Sequence, residues 1–455
     1  MQLASLAERA SRDPDRVALV TSERTWTTAT LAAEVATRAH GLTGARCVGL
    51  VGRASVAHVI DLLAAIEARV PVVLLHPRWS ERETSAVLDR VRPDRVLDGG
   101  SFVDDAARPS ARAASPLLGT PSREGVLAIL ATSGTTGTPK LALLSRRALE
   151  ASARASAQHL GVRPDDRWLL AMPLAHVGGL GVVVRSLVYE TPLVVHEGSA
   201  DPSAWVPLVA RAGVTHVSLV PTTLGRLLDA ELSLPRCVRV ALVGGAACPL
   251  ALLERALARG IPVHTSYGLT ETSGPVATST DDPRRLRALP GVEIRIVSET
   301  IRVRTPAAME GWLDGPSPFD ADGFYDTGDV GTLERDGSLV VHARRTDLVV
   351  SGGENVYPRE VEDALERLPG VRAACVFGVP DHAWGQRVAA ALVVDDAAPS
   401  DAALVGALRT VLAGFKLPRS IARLPALAVN ATGKLDRART AELAAPLLRS
   451  SATSP

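Results

Sequence analysis

Through about residue 290 the chain alternates helix-length amphipathic segments with short apolar runs, and this alternation restricts the fold more than any other feature. VAHVIDLLAAIEAR is followed by VPVVLL, PSAWVPLVARAG by THVSLVP, and PLALLERALARG by IPVHTS. A helix between successive apolar strands returns the chain in one direction, so the pattern predicts an α/β fold of parallel sheets wrapped by helices. Beyond it, VEIRIV, TIRVRT, GTLERDGSLVVHA and TDLVVSG read as short strands turned at RDG and SGG, a β-rich subdomain. From Tyr357, PREVEDALERLPGVRAACVFGVPDHAWGQRVAAALVV reads helix, strand, loop, strand, and a further helix is predicted over about Ala402 to Leu412. The expected division is a large N-terminal domain, 1–344, and a small α+β C-terminal domain, 347–455, joined near 343–347. No Pro/Gly/Ser-rich linker marks that joint, and the polar SSATSP at the end is expected to be disordered.

With 455 residues and 46% hydrophobic content, the chain can bury large cores. Its 50 basic and 49 acidic residues leave a formal net charge of +1, so no global field recruits nucleic acid or an anionic membrane, and small molecules are the expected partners. The opening MQLASLAERASRDPDR has no apolar block of the secretory kind, and apolar stretches such as GLGVVVRSLVY are broken by Arg185. The cytoplasm is the default location. Cys47, Cys237, Cys248 and Cys375 are scattered without zinc-ligand spacing and read as small buried hydrophobes.

Only three basic residues are lysines, Lys140, Lys416 and Lys434; the other 47 are arginines. A chain that uses arginine as its default cation keeps lysine where a compact, flexible ammonium does what a planar guanidinium cannot. Each lysine is therefore a candidate site residue.

Lys140 closes LAILATSGTTGTPK. An apolar strand runs into Thr132, Ser133, Gly134, Thr135, Thr136 and Gly137, then Thr138 and Pro139. Glycines let backbone N–H groups turn inward, hydroxyls add donors and the lysine adds charge, which together make a phosphate cradle. Its order differs from that of ordinary phosphate-binding loops. SGTTGTPK resembles the signature of the acyl-adenylating superfamily of acyl-CoA synthetases, peptide-synthetase adenylation domains and luciferases.

Further motifs follow in that family's order. SYGLTET, 266–272, is similar to the motif in which an aromatic packs on adenine and a glutamate binds magnesium. The resemblance gives those roles to Tyr267 and Glu271, places Thr270 near the α-phosphate and adds Gly245 to the nucleotide site. A carboxylate suits Mg²⁺, which takes hard oxygen ligands shared with phosphates. Asp329 of GFYDTGD resembles the family's ribose-binding aspartate. In ARRTDLVVSGGENVYPREVE, Arg344 matches an arginine that touches the nucleotide, Thr346 matches the hinge, and Gly352, Gly353 and Glu354 match a loop lining the thiol tunnel. NATGKLDR matches the C-terminal motif and places Lys434 as the catalytic lysine. Two of the three lysines thus occupy the family's lysine motifs. Leu141 and Ala343 depart from the pattern, each standing where the family usually has glycine, and raise a question of backbone geometry because leucine does not readily take positive φ.

The resemblance implies two steps. A carboxylate attacks the α-phosphorus of Mg-ATP and pyrophosphate leaves; Lys140, the loop donors, Mg²⁺ on Glu271, and Lys434 stabilise the developing charge. The mobile C-terminal domain then rotates about Thr346 and coenzyme A takes the acyl group. ATP and coenzyme A are the implied co-substrates, Mg²⁺ the implied metal, and a homodimer is left open.

WLLAMPLAHVGGLGVVVRSLVYETPLVVHE, 168–197, and LLHPRWSERE, 74–83, resemble the o-succinylbenzoate–CoA ligases of menaquinone biosynthesis. In that reading His176 caps the acyl pocket and Arg185 meets a second carboxylate on the substrate. An arginine in an apolar helix needs an anionic partner or a route to solvent, and Glu190 is the internal alternative. A CoA ligase for another aromatic or aliphatic acid, or an adenylation domain loading a carrier protein, remain the alternatives; PLAHVGG has no aspartate to hold an amino acid's ammonium.

Overall fold

The computed structural model describes residues 5–102, 125–132, 139–351, 354–382, 384–430 and 434–451. It divides into two compact units. The first comprises Met1–Ala247, Ala256–Ile294 and Val303–Tyr325; the second comprises Cys248–Arg255, Arg295–Arg302 and Asp326–Pro455.

Two large sheets organise the first unit. In one, strands Val17–Val20, Leu193–Val195, Trp168–Leu170, His216–Leu219, Val240–Val243 and Val263–Leu269 run parallel in that spatial order. Antiparallel strands close both edges. In the other, Arg95–Asp98, Val48–Val51, Val72–Leu75 and Val126–Thr132 are parallel, and Lys140–Ser145 returns antiparallel to the last. The α/β reading therefore holds, with the expected helices at Val56–Glu67, Pro202–Ala212 and Leu250–Ala258.

Helix Val56–Glu67 shows why the sheets stack. Ser55 accepts the His58 N–H at its start, and ten of its residues are buried. A helix apolar on all sides has to be covered on all sides, and one core joins it to Leu50 and Leu74 of one sheet and to Leu19 and Leu170 of the other. Truncating a residue such as Leu62 there would cost about 2–5 kcal/mol. Helix Val177–Tyr189 shares this core through Leu180, Val183 and Val184.

The second unit is α+β. A four-stranded sheet orders Glu293–Val297, Thr300–Arg304, Tyr325–Leu333 and Leu339–Arg344. A second sheet is built on the long antiparallel pair Val371–Asp381 and Gly385–Val394, with Val349–Ser351 and Ser420–Arg423 also against the latter. Its two faces follow the period of two: Ala374 and Val376 pack with helices Pro358–Glu366 and Asp401–Leu408, whereas Cys375 and Phe377 pack with helix Arg437–Ser451. Arg437 anchors this packing, pairing with the buried Glu362 and reaching Asp347 at 3.4 Å.

The helix expected to Leu412 ends at Leu408. After it Thr410 and Val411 bond back three residues, tightening the last turn ahead of Gly414, while the apolar periodicity continues because Leu412 still packs on the core. All four cysteines are free; Cys47 and Cys375 are buried, and Cys237 and Cys248 are half-buried. Among the described residues no helix is long and apolar enough to cross a membrane.

Candidate active site

In the first unit, strands Val126–Thr132 and Lys140–Ser145 form an antiparallel pair in which Thr132 faces Lys140. Ser133, Gly134, Thr135, Thr136 and Gly137 lie outside the described residues. Lys140 is exposed, with Nζ 5.2 Å above the Trp312 ring. Leu141 sits fully buried in the regular strand, its carbonyl accepting the Leu313 N–H, so this position needs no glycine.

Tyr267 belongs to strand Val263–Leu269, and Thr270 and Glu271 form the single 3-10 turn that follows. All three are half-buried. The Glu271 carbonyl accepts the Met309 N–H at 2.8 Å, which fixes the backbone beneath its carboxylate. A bulge between Tyr267 and Gly268 reshapes the strand there. A Cβ on Gly268 would stand 2.2 Å from the Gly274 carbonyl oxygen, so only glycine fits. Ser273 closes the turn in the left-handed region, φ 53°, a backbone strain immediately after the motif. Gly245 follows strand Val240–Val243 with φ 78°, again glycine territory.

His176 is the N-cap of helix Val177–Tyr189 and its ring lies 4.9 Å from that of His76. Burial holds His76 below the usual histidine pKa. Arg185 is 4% exposed. Its guanidinium stacks over Trp168 at 5.0 Å, and its Nε has no hydrogen-bond partner among the described residues. Burial pushes its pKa down to about 10, so it remains charged at neutral pH. The internal pairing with Glu190 is overturned, since Glu190 is engaged by Arg12 at 2.6 Å and faced by Arg9 at 3.8 Å. Trp168 in turn stacks on the buried His216 at 4.4 Å. Burial drives the His216 pKa to about 4, opposed by Asp166, which is itself locked to Arg239 at 2.5 Å.

In the second unit, Asp329 and Arg344 face each other across antiparallel strands. Asp329 is buried; Arg344 Nε lies 2.9 Å from its Oδ1, and Arg344 Nη1 donates to the Thr327 carbonyl at 3.0 Å. Ala343 pairs with Val330 in ordinary strand conformation. Thr346 is exposed on a one-turn 3-10 helix, Arg345–Asp347. Gly352 and Gly353 lie outside the described residues, and Glu354 opens strand Glu354–Val356. Lys434 is exposed; its backbone exchanges hydrogen bonds with Asn430, whose Oδ1 accepts the Lys434 N–H at 3.0 Å.

Residues 6–313 match the AMP-binding enzyme family and residues 360–434 match the AMP-binding enzyme C-terminal domain. The chain belongs to the AMP-binding enzyme family. Among its relatives, the 2-succinylbenzoate–CoA ligase of Bacillus pumilus (strain SAFR-032) is 32% identical over 471 residues, covering 95% of this chain and 96% of the relative. The Bacillus subtilis (strain 168) 2-succinylbenzoate–CoA ligase is likewise 32% identical, with the same coverage. Among solved structures, the o-succinylbenzoate CoA synthetase of Bacillus subtilis in complex with its acyl-adenylate intermediate superposes with a TM-score of 0.83 at 30% identity, covering 95% of this chain and 97% of that one. ATP-bound MatB from Rhodopseudomonas palustris gives 0.84 at 27% identity, covering 97% and 99%.

Two neighbours of this AMP-binding enzyme's candidate site escaped the sequence. Trp312 under Lys140 comes from a segment with no motif of its own. His76, beside His176, lies in LLHPRWSERE, where the resemblance to the succinylbenzoate ligases was the available signal.

Proposed function

We propose that the chain is an ATP-dependent acid–CoA ligase that converts o-succinylbenzoate to its acyl-AMP and then to o-succinylbenzoyl-CoA. The observation that carries the choice of acid is Arg185: a guanidinium buried over Trp168, its Nε unpartnered among the described residues, on the helix whose N-cap is His176. A buried charge without an anion is costly, and a second carboxylate on the acid would relieve that cost.

In the first step one carboxylate of the acid attacks the α-phosphorus and pyrophosphate departs. Lys140 and Lys434 supply ammonium groups to the phosphate oxygens, Thr270 donates at the α-phosphate, Tyr267 and Gly245 border the adenine, and Asp329 with Arg344 holds the ribose. Among the described residues no three His, Cys, Asp or Glu side chains cluster as a metal cage. A magnesium ion shared with phosphates takes only one or two protein carboxylates, and the half-buried Glu271 fits that donor chemistry. When bound, Mg²⁺ would neutralise charge on the phosphate oxygens. In the second step the coenzyme A thiol attacks the acyl carbonyl and AMP leaves. Thr346 is the pivot between 1–344 and 347–455 in this reading, and the loop at Gly352 and Gly353 serves the thiol.

Mass spectrometry tests the assignment. Incubation with o-succinylbenzoate, Mg-ATP and coenzyme A should yield AMP and the acyl-CoA thioester in equal amounts; ADP with no thioester would refute it.

A further inference from the structure

The first unit holds a cavity of 310 Å³ that uses none of the residues assigned to chemistry. That volume lies within the range of small-molecule sites. Leu19, Leu63, Val183 and Leu187 give it apolar walls, and Arg9, Arg12 and Arg16 also line it. Asp13 and Glu190 line the cavity beside those three guanidinium groups, and Glu67 also acts on Arg9.

Arg9 is the informative member. It is 7% exposed, and its Nε and Nη2 have no hydrogen-bond partner among the described residues. The nearby carboxylate of Glu190 stands 3.8 Å away and is already bonded to Arg12 at 2.6 Å. Ser186 Oγ and Thr191 Oγ1, buried on the same cavity, are also without partners among the described residues. Two guanidinium nitrogens of Arg9 and two buried hydroxyls, all without hydrogen-bond partners among the described residues, stand at an apolar space and form a site that a ligand carboxylate would complete. Burial correspondingly lowers the Arg9 pKa.

We propose that this cavity binds a small amphipathic monocarboxylate, its carboxylate on Arg9 and its apolar body against Leu19, Leu63 and Val183. The cavity lies outside the set of residues assigned to the ligase reaction. It connects to that reaction, because Val183, Ser186 and Leu187 present one face of helix Val177–Tyr189 to the cavity while Arg185 leaves the opposite face toward Trp168. Occupancy would tighten the helix that carries Arg185, and should therefore change KM for the acid.

Calorimetric titration of the full chain with octanoate, octanol and octylamine, without ATP or coenzyme A, tests the proposal independently of catalysis. Octanoate should bind, with the uncharged and cationic analogues weaker by about tenfold or more. Ala18 also lines the cavity; Arg9→Met and the cavity-filling Ala18→Leu should each abolish octanoate binding, Arg9→Lys should retain most of it, and Arg185→Met should leave it intact. Should Arg9→Met fail to fold, Ala18→Leu decides. The proposal is overturned if the native chain does not bind octanoate, if octanol binds as tightly, if Ala18→Leu binds normally, or if Arg185→Met alone removes binding.

Discussion

Arg344 Nε lies 2.9 Å from Asp329 Oδ1, an ion pair between two residues that separate motifs nominate and adjacent antiparallel strands bring face to face. Asp329 is buried and Arg344 is about half exposed, so solvent screens the pair, and its worth lies in holding the carboxylate in one orientation. Asp329→Ala and Arg344→Ala should each raise KM for ATP about tenfold or more. The double variant should show a coupling of about 1 kcal/mol. Strict additivity in ATP binding would separate the two roles.

For Arg185→Met, opposite effects on activity and stability are expected. With its Nε unpartnered among the described residues, the charge buried beside Trp168 is a standing cost, and an apolar side chain of similar length should raise thermal stability by about 1 kcal/mol or more. KM for o-succinylbenzoate should rise about tenfold or more, while turnover of an acid with one carboxylate, such as benzoate, should stay within about threefold. Equal losses on both acids would show that Arg185 positions the helix and not the substrate.

His216 predicts an acid sensitivity. Its pKa is depressed to about 4, chiefly by burial, so the folded state favours the neutral ring. Stability from this group is complete above its unfolded pKa of about 6.5 and is lost as pH falls toward 4, at no more than about 1.4 kcal/mol per pH unit. Denaturant titrations at pH 7.5, 6, 5 and 4 should show this slope, and His216→Phe, which keeps a ring against Trp168, should flatten it. An unchanged slope would assign the acid sensitivity to other groups.

Gly268→Ala should damage adenylation without touching a functional side chain. The new Cβ would meet the Gly274 carbonyl oxygen at 2.2 Å and push apart the strands that carry Tyr267 and lead into Glu271. A stability loss of about 1–3 kcal/mol, measured by thermal melts, should accompany a marked loss of AMP binding. Native AMP affinity in this variant would remove Gly268 from the site's framework.

These cases show where the sequence was legible. The parallel sheets followed from the alternation because each apolar strand needs a covering helix. The placement of Thr132 and Tyr267 on strands was legible because each motif continues an apolar run. Arg185 was visible as an anomaly in an apolar helix, but its setting was not, since Trp168 and His216 meet it only through tertiary packing. The concern over Leu141 and Ala343 dissolved for the same reason: strand pairing, which a local motif does not display, sets their backbone conformation.

Pyrophosphate release with Mg-ATP and coenzyme A, measured across o-succinylbenzoate, benzoate, 4-hydroxybenzoate, octanoate and several amino acids beside the Lys434→Ala variant, tests acyl-adenylate formation and the choice of acid together. Strong turnover on o-succinylbenzoate is expected, falling about a hundredfold or more in Lys434→Ala. Turnover confined to other acids would contradict the substrate, and silence across the panel from folded protein would contradict acyl-adenylate formation itself.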